Sequence, residues 1–293
     1  MAAVLRFPLA AVLAVGAALV LGNASAFAYT SGSLGYDISY PQCGTVYPRT
    51  MAQASATTST TSLRAWWSTL RNPPATRSTP VRSWYPGSNF GIVGVNSGYP
   101  FISSAHPGNP CLADEYGHTP LAGLYVNTGF DPSYTDSAHT TAHCASLSAT
   151  VGGSTMQRQA WAVGCSEAEK DMAYVQAQAI TNPTAWWLDI EDGNSWCGLH
   201  GVNCDQTLNQ FAIQGIIDTL RANVASPVGI YSNSLFWSEI VGTLPVNGAT
   251  WDWIASGAST SQQAKGYCGN SFSGAPVSLV QFVSGSIDRD VAC

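Results

Sequence analysis

The sequence predicts an α/β fold: a single TIM-like (β/α) barrel, flattened or irregular in outline and stapled by disulfides. Three observations lead there. The chain has 293 residues, which suits one large domain; an α/β barrel needs roughly 250. Short, near-continuously apolar runs recur along it, the pattern of strands buried on both faces in a parallel sheet. Helical stretches alternate with these runs, and β then α then β is the signature of an α/β domain.

The first segment, "MAAVLRFPLAAVLAVGAALVLGNASAFA", carries one early cation (Arg6), an apolar run from Phe7 to Leu21, and small residues at Ala24, Ala26 and Ala28. It reads as a secretory signal peptide over 1–28, cleaved after Ala26 or Ala28. An apolar run of about 15 residues is short for a bilayer, and no later stretch looks transmembrane. No membrane partner is expected after cleavage.

Strands are expected at "LGYDISY" (34–40), "FGIVGVNSG" (90–98), "LAGLYVNTG" (121–129), "AWWLDIE" (185–191), "PVGIYS" (227–232), "WDWIAS" (251–256) and "VSLVQFV" (277–283). Between the first two lies a different text, residues 44–88. Ser/Thr/Ala-rich "TMAQASATTSTTS" precedes "RNPPATRSTPVRSWYPG", and we read the whole as a partly disordered insertion with one short helix at "LRAWWSTLR". It holds Arg49, Arg64, Arg71, Arg77 and Arg82, and is expected to be solvated. A helix is expected over 166–180, where Ser166 and Glu169 make a capping-box pattern. A second, over 207–224, places Phe211, Ile213, Ile216, Ile217 and Leu220 at helical spacing.

Charged residues are only 10% of the chain against a usual figure of about 25%. Hydrophobic residues are 45%, enough for a sizeable core. Loss of Arg6 with the leader takes the net charge from −6 to −7. There is no basic stripe for nucleic acid and no polybasic cluster for an anionic membrane. A low-charge surface rich in hydroxyls and aromatics suits a secreted protein that meets polysaccharide.

Cys43, Cys111, Cys144, Cys165, Cys197, Cys204, Cys268 and Cys293 all follow the leader, and their even number in an oxidising compartment predicts disulfides. Eight cysteines allow 105 pairings, so connectivity stays open. Sequence proximity favours Cys197–Cys204, Cys144–Cys165 and Cys268–Cys293, leaving Cys43–Cys111. No metal site is expected: "CGLHGVNC" and "HTTAHC" lack C-x-x-C pairs and the H-E-x-x-H glutamate.

The chemistry concentrates in "WWLDIEDGNSW" (186–196). Residues i and i+2 of a strand share a face, so Asp189 and Glu191 point the same way, with Cα atoms roughly 6.6 Å apart. Burying two unpaired carboxylates costs several kcal/mol each, and few cations follow the insertion: Arg158, Lys170, Arg221, Lys265 and Arg289. A cleft that holds acids at shifted pKa is the cheaper explanation. Asp37 lies in the first strand and Asp288 just after the last, and a barrel makes first and last strands neighbours. All four acids are therefore expected at one cleft, and paired carboxylates flanking a sugar linkage are the apparatus of glycoside hydrolysis.

Four segments in order, "GYDISYPQCG", "WWLDIEDGNSW", "VGIYS" and "VQFVSGSIDRD", resemble the glycoside hydrolase family 25 lysozymes, in particular a secreted actinobacterial glycoside hydrolase-like branch. The resemblance covers residues 34–43 and about 90–293. It implies a flattened (β/α) barrel that cleaves peptidoglycan between N-acetylmuramic acid and N-acetylglucosamine. It makes Glu191 the general acid and Asp189 its partner, which stabilises positive charge or orients the substrate acetamido group. Asp37 matches the acid of the first strand and Asp288 the closing aspartate, with Asp290 two residues on. This chain departs from the family at "SYPQCG", where Tyr40 and Pro41 stand in place of an H-x-Q pattern, and at "GVNSGYPF", which lacks K-A-[ST]-E-G. The alternative is a non-catalytic exoprotein that binds cell-wall glycan on a hydrolase-like barrel; a third reading is hydrolysis of another polysaccharide. Asn96 and Asn127, ending strands two and three, are candidates to bind sugar or to start turns. Trp196 and Tyr231 are the expected cleft aromatics, whereas Trp186 and Trp187 are expected in the core. No cofactor is implied, and a monomer, extracellular or associated with the cell wall, is expected.

Overall fold

The computed structural model describes residues 28–43, 87–134, 136–196, 205–285 and 287–293. All but the last residue of the expected leader, nearly all of the 44–88 insertion with its short helix, and the expected Cys197–Cys204 pair lie outside the described residues.

Eight strands close a barrel in chain order: β1 Leu34–Ile38, β2 Ile92–Gly94, β3 Gly123–Asn127, β4 Trp186–Asp189, β5 Val228–Ser232, β6 Trp251–Ala258, β7 Val277–Ser284 and β8 Ile287–Ala292. From β1 to β7 every neighbour is parallel, as the continuous apolar runs predict. The eighth strand is antiparallel to both β7 and β1, and its existence corrects the expectation that the sheet ends near 283. Asp288, Arg289 and Asp290 hide it from any hydrophobic pattern. Its direction follows from the connection: Ser284 pairs with Ile287 across a tight hairpin, where Gly285 takes φ 76°. So short a link holds no crossover helix, and the strand must return antiparallel.

Adjacent residues of each strand face opposite ways, and both faces are buried. Inside the barrel, Phe90, Ile92, Trp187, Trp251, Trp253, Leu279 and Ala292 pack with Tyr29, which stacks on Phe90 at 4.1 Å between centroids. Gly229 makes room for this: a Cβ there would stand 2.3 Å from the Trp187 ring. Outside, Val93, Leu124, Val126, Trp186, Leu188, Val228 and Ile230 pack beneath the helices. Trp186 and Trp187 are thus both core, 2% and 0% exposed, on opposite faces of one strand.

The helices are α1 Leu112–His118, α2 Ala142–Ser148, α3 Thr155–Ala177, α4 Gln206–Asn223, α5 Ser234–Ile240 and α6 Ser261–Lys265. The expected helix at 207–224 is α4, capped by Asp205, whose side chain accepts from Thr207 and Leu208 N–H. The helix expected from 166 is the second half of α3, which starts earlier. Its capping box is Ser154 with Gln157, not Ser166 with Glu169. Ser166 is buried mid-helix and donates to the Ala162 carbonyl at 2.6 Å. Residues Ala160 to Ala168 are buried without interruption, so the start of α3 shows no amphipathic period to read. Here α3 crosses α4 at backbone contact, and a Cβ on Gly164 would lie 1.9 Å from the Ala212 carbonyl oxygen.

Two of the pairs favoured by proximity, Cys144–Cys165 and Cys268–Cys293, are present, and so is the remaining pair Cys43–Cys111. Cys43–Cys111 joins the turn after β1 to the start of α1, Cys144–Cys165 joins α2 to α3, and Cys268–Cys293 ties the loop after α6 to the end of β8.

Candidate active site

The carboxyl ends of the parallel strands form the rim on which the predicted acids meet. Asp189 is the last residue of β4 and only 5% exposed. Its Oδ2 accepts from Asn127 Nδ2 at 2.5 Å. Its carbonyl accepts from Thr128 Oγ1 at 2.7 Å and from Asn194 Nδ2 at 3.2 Å. Oδ1 has no hydrogen-bond partner among the described residues. Ile190 then turns into the outer core, its N–H donating to the Tyr231 carbonyl at 2.9 Å. Glu191 follows, half-buried, in the turn closed by Asn194 N–H on its carbonyl. The pair was expected on a single strand face; the strand ends one acid early, and Glu191 reaches the rim from the loop.

Across the barrel, Asp37 of β1 lies directly opposite Asp288 of β8 in the antiparallel register. Asp37 is half-buried and Asp288 exposed. Gln281, which the sequence does not single out, and Asp290, the neighbour of the closing aspartate, complete this side. Gln281 Nε2 donates to Asp37 Oδ2 at 3.0 Å, while its Oε1 accepts from the Tyr231 hydroxyl at 2.8 Å. Asp290, fully buried, accepts from Trp253 Nε1 at 2.8 Å. Gln281 could have been found as the polar residue between Val280 and Phe282. Asp290 shares a strand face with Asp288 by the two-residue period, but only if residues 287–292 are first recognised as a strand.

Burial pushes all these acids toward the protonated form, and their neighbours add to it. The Asp37 carboxyl is raised to about 7, first by burial and then by the nearby Asp288, against the opposing hydrogen bond from Gln281. Asp189 is held well above the usual carboxylate range by burial and then by the Glu191 charge; the Asn127 hydrogen bond opposes the shift. Glu191 is raised by burial and by Asp192 and Asp288. Asp290 is raised by burial and by Asp37. The Tyr231 hydroxyl is held well above its ordinary value by burial and then by the charges of Asp189, Glu191, Asp37 and Asp288. Among the described residues no cation forms an ion pair with these acids, and only the Arg289 charge opposes the rise, at Asp290. Arg289 turns away, donating to the Gly35 carbonyl and Ser88 Oγ. Among the described residues the ion pairs are His118–Asp114, His139–Asp136 and His143–Glu169, all remote from these acids in sequence.

Two expected sugar contacts are corrected. Asn96 is 1% exposed, and its amide donates to the Asn127 carbonyl and accepts from Asn127 N–H; both ends are consumed in tying β2 to β3. Trp196 is 1% exposed inside the outer core and offers no ring to a cleft. Asn127 and Tyr231 do sit at the rim, half-buried, but as partners of Asp189 and Gln281. Tyr231 also packs edge-on against Trp253, with centroids 4.5 Å apart.

A cluster of this kind can keep a proton on one carboxyl at neutral pH while a neighbour stays ionised, the arrangement that acid–base chemistry on an acetal requires. A metal has less support. Donors converge at His143, Cys144 and Glu169, but the Cys144 sulfur is bonded to Cys165, which leaves two. A cavity of about 630 Å³ opens beside the start of β4, lined by His143, Glu169, Met172, Trp186, Asn223 and Ser226 among others; none of the four acids lines it.

No family model and no curated protein matches the chain. Solved structures do. The chain is similar to a muramidase from Acremonium alcalophilum, at 16% identity over 89% of this chain and 93% of that one, with TM-score 0.47. It is similar to the bacterial lysozyme from Streptomyces coelicolor, at 17% identity over 90% and 93%, TM-score 0.46. A family GH25 lysozyme from Aspergillus fumigatus matches at 11% identity over 89% and 94%, TM-score 0.48.

Proposed function

We propose that this chain is a secreted glycoside hydrolase that acts on the glycan strand of cell-wall peptidoglycan in the manner of an N-acetylmuramidase. The observation that carries the reading is the placing of Asp189, Glu191, Asp37 and Asp288 on one rim, linked through Tyr231 and Gln281, with raised pKa values and no ion pair among the described residues. The peptidoglycan substrate rests on the sequence resemblance described above.

In this reading Glu191 is the general acid. It is the more exposed of the central pair, so a leaving glycosidic oxygen can reach it, and burial with two acidic neighbours favours its protonated form. Asp189 is the anionic helper. Burial is the main cause of the rise at Asp189; when Glu191 holds the proton, the added repulsion is relieved, and the Asn127 amide favours the charged form. The two titrate as a pair, each charge disfavouring the other. The Asp189 charge then faces the positive character that develops at the sugar carbon. Asp37 and Asp288 add negative potential from the opposite wall. A glycan outside the cell is reached by a protein that carries a leader, and disulfides persist there. We expect a monomer.

Purified peptidoglycan incubated with the mature protein should release new reducing ends, and Glu191→Gln should lower that release by roughly 10² to 10⁴. Equal release by both proteins would sink the assignment. Co-sedimentation with walls and no release from either is the result required by the alternative, a non-catalytic protein that binds wall glycan on a hydrolase-like barrel.

A further inference from the structure

Two exposed tyrosines stand on the same rim as the acids and take no part in the chemistry above. Tyr40 opens the 3-10 turn Tyr40–Gln42 three residues past Asp37. Tyr99 lies in the loop after β2. They are 43% and 53% exposed. Their rings are held in place. Tyr99 stacks on His106 with centroids 4.3 Å apart and planes 29° from parallel. Tyr40 lies over Gly98, where an added Cβ would be 3.6 Å from Tyr40 Cε1.

The loop beneath them is fastened at several points. Asn96 and Gly108 form an isolated bridge across its base. Ser103 Oγ and the His106 backbone close its tip. Phe101 is driven inward, 5% exposed, and packs edge-on against Tyr134 and His139. It holds φ 61°, a left-handed conformation that a bulky residue keeps only where its surroundings over-determine it. Asn109 donates to the Gly94 carbonyl and to Glu115. Finally, Cys43–Cys111 bonds the turn that carries Tyr40 to the far end of the segment that carries Tyr99. Two loops from neighbouring strands are thus locked together, and both tyrosines remain exposed.

The chemistry of this surface selects its ligand. "NSGYPFISSAHPG" (96–108) contains no Lys, Arg, Asp or Glu, so nothing there recruits a phosphate or a charged peptide. Aromatic rings present a negative π face, and the complementary surface is the C–H face of a pyranose, whose hydroxyls remain in water. A platform that is already ordered binds without the cost of immobilising its side chains.

We propose that Tyr40 and Tyr99, backed by His106, form a stacking platform for sugar rings of a glycan strand, on the β1–β2 side of the carboxyl cleft. The inference rests on the glycan-hydrolase reading of that cleft, and two separate readouts divide them. In a Glu191→Gln background, co-sedimentation with purified peptidoglycan should weaken about tenfold or more on Tyr40→Ala/Tyr99→Ala, and Tyr99→Trp should retain binding because the ring, not the hydroxyl, does the stacking. Thermal midpoints of the same variants report whether the loop still folds. In the otherwise native protein the double substitution should raise KM for the wall polymer, with the loss falling on KM rather than kcat. Undiminished sedimentation by the double variant, or no sedimentation by the parent, overturns the platform. Reducing-end release with an unchanged KM overturns it too, while leaving hydrolysis standing.

Discussion

Asn127 shows how one side chain governs the central acid. Its amide nitrogen stands 2.5 Å from Asp189 Oδ2 and favours the carboxylate, against burial and the Glu191 charge. Removing that donor with Asn127→Ala takes away the larger of the hydrogen bonds that oppose the rise, so the Asp189 titration moves further up. If Asp189 must be ionised for turnover, the acid limb of kcat/KM against pH shifts to higher pH, and kcat falls at pH 5 more than at pH 7. A limb that stays in place would show that Asp189 acts in some other state. Asn96 plays a quieter part: with both ends bonded to the Asn127 backbone, it fixes where that amide sits.

At the scale of elements, the barrel depends on close approach between helices as much as on strand pattern. Gly164 of α3 faces the Ala212 carbonyl of α4 with no room for a side chain, and Gly215 of α4 faces the Trp161 carbonyl at 2.2 Å from a built Cβ. The obstructing atoms are backbone, so the helices themselves must move. Gly164→Leu should destabilise by about 3 kcal/mol or more, read as a drop in the denaturant midpoint. Ser154→Ala, which removes the true cap of α3, should cost about 1 kcal/mol. An unaffected midpoint in Gly164→Leu would mean the crossing is looser than these distances imply.

For the whole molecule the dominant electrostatic fact is an excess of buried acids. Asp37 is raised from 3.8 to about 7 and Glu115 from 4.5 to about 7. Asp189, Glu167, Asp171 and Asp290 are raised well above their ordinary values, chiefly by burial. A raised folded-state pKa means that the native protein binds more protons than the unfolded chain between the two values, so stability falls as pH rises. The contribution of Asp37 and Glu115 is complete below about pH 4 and is lost as pH climbs through 7. With the disulfides intact, Tm should fall by roughly 5 °C or more between pH 4 and 8, and Asp37→Asn should flatten the slope. A Tm that rises over that range would contradict the electrostatics described here.

Seven strands, their parallel order and the long helix α4 were legible in the sequence, because strands buried on both faces and helices with one apolar stripe leave a periodic mark whatever lies around them. So were the two disulfide pairings favoured by proximity, Cys144–Cys165 and Cys268–Cys293, with Cys43–Cys111 as the remaining pair. The acids Asp189, Glu191, Asp37 and Asp288 stood out in a chain so poor in charge, and the closed barrel brings their strands together. Other features exist only once the barrel closes. β8 is a strand because β7 and β1 stand ready on either side of residues whose polarity argues against one. Gln281 links Tyr231 of β5 to Asp37 of β1 across sequence separations of 50 and 244 residues. Asn96 and Trp196 lose their surface roles because tertiary packing claims them. Local pattern records which face of an element is buried; only the folded chain decides which distant side chains that burial brings into contact.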